Sequence, residues 1–172
     1  MSGIILYQSK YGATKKYALW LAEETGFLVK ETKAVTAAAL KSFDTILLGG
    51  GIYASGIAGL SFLKKNLTAL QGKKLLIFAV GASPYEENAF RELTCRNLTG
   101  PLKDIPCFYC RGAWTPETMT MIDRNLCKML QKSLAKRPPE SLTPLEEAML
   151  EAGNSHCDWT DRHYLEPILK AL

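Results

Sequence analysis

No apolar run in the sequence approaches the roughly 18 residues needed to cross a bilayer, and Gly3 to Tyr7 is far too short for the hydrophobic core of a signal peptide. Neither an integral membrane segment nor export is expected, and a reducing, cytoplasmic setting follows. Five cysteines, an odd number, show no disulfide framework, and a chain of 172 residues is long enough to build a core without one. Cys107-x-x-Cys110 has no second C-x-x-C or H-x-x-x-H partner, which argues against zinc. It also lies in a predicted strand, without the helix N-terminus of a thioredoxin-like pair, so both cysteines are expected in the core. The only histidines, His156 and His163, flank a predicted cap and read as surface groups. Charge of one sign is barely in excess: 21 Lys and Arg against 17 Asp and Glu leave +4, and the basic residues are scattered. That slightly favours anionic partners and makes no case for nucleic acid.

What is present is alternation. Gly3 to Tyr7 (G-I-I-L-Y) is a continuous apolar run, as expected for a strand buried on both faces of a parallel sheet. Tyr17, Ala18, Leu21 and Ala22 then recur at helical spacing, with Gly26 as the stop. Phe27–Thr32, Thr45–Leu48, Lys74–Val80 and Cys107–Cys110 read as four further strands. Helices are predicted between them over Thr36–Ser42, Ala58–Leu67 and Glu87–Leu98. Five strands separated by helices predict an α/β doubly wound parallel sheet in a single domain spanning 1–172. The C-terminal third departs from this rhythm. A long helix is expected over Pro116–Leu134, capped by Thr115, and another at Thr143-Pro144-Leu145-Glu146, where Glu146 completes a capping box. A last helix is expected over Thr160–Ala171. Residues 115–157 therefore read as a helical insertion before the final helix.

In open α/β sheets ligands bind beyond the carboxyl ends of the strands, where strand order reverses. Three loops lie there: Ser9–Thr14, Gly49–Gly56 and Gly81–Tyr85. The first offers the hydroxyls of Ser9 and Thr14, the small Gly12 and a fresh helix N-terminus, all suited to an anion. It has one glycine, so it is no dinucleotide fingerprint. The glycines from Gly49 onward fail the same pattern at Ala54. Gly51 and Gly56 have Walker spacing, but Ile57 and Ala58 follow instead of Lys and Ser or Thr. NAD and ATP are both disfavoured.

The stretch S-K-Y-G-A-T, Ser9 to Thr14, resembles the [ST]-x-[TY]-G-x-T phosphate loop of flavodoxins, and the resemblance extends over roughly Ile4–Gly112 plus the last helix. It implies a flavodoxin-like five-stranded sheet of order 2-1-3-4-5 with FMN as cofactor. By position, Ser9, Lys10, Tyr11, Gly12, Ala13 and Thr14 would cradle the phosphate. Ile52 and Tyr53 would line one side of the flavin ring, and Gly81, Ala82, Ser83 and Tyr85 the other. Within the superfamily the sequence is similar to the menaquinone-dependent protoporphyrinogen dehydrogenases, through the helical insertion and the stretch Cys157-Asp158-Trp159-Thr160-Asp161. That likeness implies an oxidoreductase with a quinone- or porphyrinogen-like acceptor, or a redox partner protein. The alternatives are a flavodoxin-type electron carrier and a flavin-free interaction module on the same fold. The basic pI of about 8.8 counts against the carrier, since carriers of this type use acidic surfaces to steer toward partners. Trp114 is expected to anchor the C-terminal helices to the core and Trp159 to pack the final helix. Met119, Met121 and Met129 lie at a spacing that suggests a core-facing side of the long helix. No general acid or base stands out, and the sequence is silent on oligomeric state.

Overall fold

Each long apolar run becomes a strand of one parallel sheet in the structure, a computed structural model that describes residues 2–172. The elements run β1 (Gly3–Gln8), α1 (Ala13–Thr25), β2 (Leu28–Glu31), α2 (Ala37–Leu40), β3 (Thr45–Tyr53), β4 (Gly56–Ile57), α3 (Leu60–Lys65), α4 (Leu67–Leu70), β5 (Lys74–Gly81), α5 (Glu87–Asn97) and β6 (Cys107–Arg111). Then come β7 (Ala113–Trp114), α6 (Met121–Leu134), α7 (Pro144–Ala152), β8 (Cys157–Asp158) and α8 (Glu166–Lys170). The parallel order is β2-β1-β3-β5-β6, the doubly wound arrangement expected from the sequence, with the reversal between β1 and β3. The two-residue β4 folds back antiparallel on the end of β3, pairing Ile52 with Ile57 and Tyr53 with Gly56.

Strand alternation divides the core between the two faces of the sheet. Ile5, Leu47, Leu76, Phe78 and Cys110 pack against Tyr17, Ala18 and Leu21 of α1 and against Leu165 and Ile168 near the C-terminus. Ile4, Leu6, Ile46, Leu48 and Ile77 pack on the other face against Leu40, Leu60, Leu63 and Leu70. Cys107 belongs to the second face and Cys110 to the first. Burial pushes the Cys107 thiol up to about 12, so these are inert packing groups.

Three expected helices have different bounds. The Ala58–Leu67 segment breaks at Asn66, whose amide donates to the Phe62 carbonyl at 2.7 Å, giving α3 and α4. The long helix starts at Met121, not Pro116: Thr120 caps it by accepting from the Asp123 N–H at 3.2 Å. Pro116–Met119 form turns instead, and the Arg124 guanidinium donates to the Pro116 and Glu117 carbonyls, both at 2.9 Å. The final helix is preceded by a 3-10 turn, Arg162–Leu165, capped by Asp161. The capping box at Thr143 and Glu146 forms as expected.

Residues 115–157 run from β7 through α6 and α7 to β8, which pairs antiparallel with β7. Trp114 is buried there against Met149 and Ala152, and its indole N–H donates to the Gly153 carbonyl at 3.1 Å. It is the anchor of the C-terminal helices. Trp159 departs from expectation: it joins this Trp114 cluster rather than the final helix, and the Arg111 guanidinium lies 4.4 Å from its ring centre.

Candidate functional site

The loop from Ser9 to Gly12 is shaped by one glycine and one hydroxyl. Gly12 takes φ +98°, a conformation that excludes ordinary side chains, and caps α1 without a side-chain hydrogen bond. Its N–H donates to Ser9 Oγ at 3.0 Å, which closes the turn. The first intrahelical bond runs from the Lys16 N–H to the Gly12 carbonyl. The N–H groups of Ala13, Thr14 and Lys15 therefore have no backbone partner within α1, and with the helix dipole they form an anion-attracting end. Thr14 lies in this first turn and is buried.

Across the turn, the Lys10 N–H donates to the Tyr53 hydroxyl oxygen at 2.9 Å, and the Tyr11 and Tyr53 rings meet edge to face at 6.1 Å. Tyr53 leans over Gly51, where an added Cβ would fall 2.4 Å from the tyrosine hydroxyl, so a side chain there would displace the ring. The turn carrying Tyr53 back to Gly56 places Ala54 at φ +47° and Ser55 at φ +63°, a strained conformation for both residues. Ile52 extends over Gly81 and links the second loop to the third.

The structure thus gathers Ser9–Thr14, Ile52, Tyr53 and Gly81 along one edge of the sheet. Ser83 and Tyr85 form a neighbouring group. The Tyr109 hydroxyl donates to the Ser83 carbonyl at 2.5 Å, and the Tyr85 ring, more than half exposed, packs against Phe90 and Tyr109. Ala82 turns toward the Trp114 cluster, and its carbonyl accepts from Arg111 Nε at 3.3 Å.

Sequence reasoning missed one participant. Asp123, in the first turn of α6, places a carboxylate oxygen against both the Lys10 ammonium and the Tyr11 hydroxyl. The hydrogen bonds from Lys10 and Tyr11 hold the Asp123 carboxyl down at about 2. Lys10 is raised, chiefly by Asp123; Tyr11 is raised by partial burial and then by Asp123. The loop therefore already engages one anion in cis, through two donors at the mouth of α1. These donors, the free N–H groups and the Ser9 and Thr14 side chains suit a phosphate group. No linear signal joins residue 123 to residue 10.

Lys16, also on α1, bonds Asp158 at 2.8 Å and Thr160 at 2.7 Å. Burial alone would raise Asp158, but Lys16 and Thr160 outweigh it and hold the carboxyl at about 2. His156 and His163 are both exposed and lie beside Glu117 and Asp161 respectively. Among the described residues no group of three His, Cys, Asp or Glu side chains is arranged to hold a metal.

A doubly wound parallel sheet whose first strand leads through a glycine-capped loop into a helix N-terminus defines the class. The chain belongs to the flavodoxin domain family, whose model matches residues 4–141. No curated protein sequence matches it. Among solved structures it is similar to a flavodoxin from the domain Archaea, at 21% identity, covering 75% of this chain and 92% of that one, with a TM-score of 0.45. It is also similar to a flavodoxin, WrbA-like protein from Agrobacterium tumefaciens, at 19% identity, 87% and 91% coverage and a TM-score of 0.46. A third is a flavoprotein in complex with FMN from Lactobacillus acidophilus NCFM, at 17% identity, 64% and 91% coverage and a TM-score of 0.42.

Proposed function

We propose that this chain binds FMN noncovalently and acts as a redox protein, passing electrons between the flavin and a quinone- or porphyrinogen-like partner, the porphyrinogen as electron donor and the quinone as acceptor. The observation that carries the reading is the engagement of an anion by Lys10 and Tyr11 at the N-terminus of α1. Membership of the flavodoxin domain family supports it. The flavin supplies the electron transfer, while the protein supplies binding, orientation and tuning. Ser9, Lys10, Tyr11, Gly12, Ala13 and Thr14 hold the phosphate, with Asp123 giving up its place on Lys10 and Tyr11 as the phosphate arrives. Ile52 and Tyr53 line one side of the ring, and Gly81, Ala82, Ser83 and Tyr85 the other. Tyr53 moves off Gly51 in the process, using the strained turn at Ala54 and Ser55 as its hinge. Tyr53 is raised, chiefly by burial, so it stays a neutral aromatic surface at physiological pH.

Residues 115–157, read as an insertion, shape access for the acceptor in a cytoplasmic oxidoreductase akin to the protoporphyrinogen dehydrogenases. The test is anaerobic: FMN-loaded protein is photoreduced and mixed with menadione, and flavin absorbance is followed. Fast reoxidation that saturates with acceptor concentration is expected. Reoxidation no faster than that of free reduced FMN contradicts the enzyme reading and favours the carrier.

A further inference from the structure

The methionines of α6 are not core groups. Met121 is 80% exposed, Ile122 73%, Leu126 58% and Met129 68%, and Leu130 is also exposed. Ile122, Leu126, Met129 and Leu130 are three and four residues apart, so they form one stripe along the helix. The inward side is fully used. Leu134 is buried, and the Gln131 amide donates to the Met149 and Gly153 carbonyls at 2.8 and 3.0 Å. The stripe therefore cannot turn inward without breaking these bonds.

Beside the stripe runs a second row, Lys128 and Lys132, continued past the helix end by Lys136; all three are exposed. No ion pair among the described residues involves them. The one acidic residue of α6, Asp123, lies toward Lys10 and pairs with none of these lysines. The face thus combines unbranched or flexible apolar side chains with uncompensated positive charge. It has none of the aromatic or arginine anchors that typify protein interfaces. A second copy docked through the same face sets lysines against lysines, with no acidic complement. An anionic bilayer surface answers both rows: its acyl boundary takes the apolar stripe, and its headgroups take lysines whose stems snorkel outward.

We propose that α6 is an in-plane docking helix for anionic lipid membranes, lying on the surface beside the Ser9–Thr14 loop. The inference stands on α6 alone and does not depend on flavin binding.

The test is cosedimentation of the full chain with vesicles of phosphatidylglycerol and phosphatidylcholine, against vesicles of phosphatidylcholine alone. Binding to the anionic vesicles is expected, weakening as salt rises. Ile122→Glu with Met129→Glu should lower the partition coefficient at least about tenfold. Lys128→Glu should lower it more than about fivefold, since one cation is lost and one anion gained at a negatively charged surface. These positions are exposed, so the thermal melt and FMN titration of each variant should match those of the parent. The proposal is overturned by absence of vesicle binding in the parent, by equal binding to both vesicle types, or by variants that bind unchanged. It is also overturned if light scattering shows a concentration-dependent dimer that Ile122→Glu abolishes while vesicles capture nothing.

Discussion

Replacing Thr14 by valine removes one hydroxyl from the first turn of α1 and almost nothing else. Thr14 is 2% exposed, both residues are β-branched, and Gly12 still sets the loop. The hydroxyl is assigned to the flavin phosphate, and a hydrogen bond to a charged group contributes about 1.5–3 kcal/mol. Its loss should raise the Kd for FMN about 10- to 150-fold. Riboflavin, which has no phosphate, provides the internal control. Its affinity should be the same for the parent and for Thr14→Val, so the preference for FMN narrows. Quenching of flavin fluorescence in parallel titrations gives both constants. An FMN affinity unchanged within about twofold would refute the assignment of Thr14. An equal loss for FMN and riboflavin would show that the substitution acts through general damage to the site.

Tyr17→Phe should lower the unfolding free energy by about 1–3 kcal/mol in urea titrations. The buried hydroxyl donates to the Arg111 carbonyl at 2.6 Å and accepts from the Asp161 N–H at 3.0 Å, leaving both unpaired when it is removed. Ser55→Gly should do the opposite. At φ +63° glycine relieves the left-handed strain, for a net gain of about 1 kcal/mol after its entropic cost, and a melting temperature about 2–4 °C higher. Acid should loosen the C-terminal third. Asp123 and Asp158 are both held at about 2, below the unfolded value near 3.9. Their contribution is complete above about pH 4 and is lost as pH falls toward about 2. The urea midpoint should drop across that window, and Asp123→Asn combined with Asp158→Asn should flatten the drop.

The parallel sheet was legible because its strands are continuous apolar runs separated by segments of helical period. Local caps were legible where one candidate existed, as at Thr143. The cap expected at Thr115 was displaced to Thr120, because Arg124 satisfies the carbonyls of the turn between them. The Ser9–Thr14 loop stood out through its residue types and its place after β1. Asp123 did not, because its contact to Lys10 spans over a hundred residues and depends on how α6 docks. The methionines of α6 had core spacing but face outward. Periodicity reports that a helix has an apolar side, not which side the protein covers. Likewise, nothing in Tyr53-Ala54-Ser55-Gly56 marks a tight hairpin, since neither central residue is one that favours positive φ.

If the loop after β1 takes the phosphate of FMN, flavin-free protein will discriminate between FMN and riboflavin in equilibrium titrations. One FMN per chain is expected at micromolar or tighter affinity, with riboflavin bound markedly more weakly. Absence of FMN binding at these concentrations, or equal affinity for the two flavins, would contradict that placement of the phosphate.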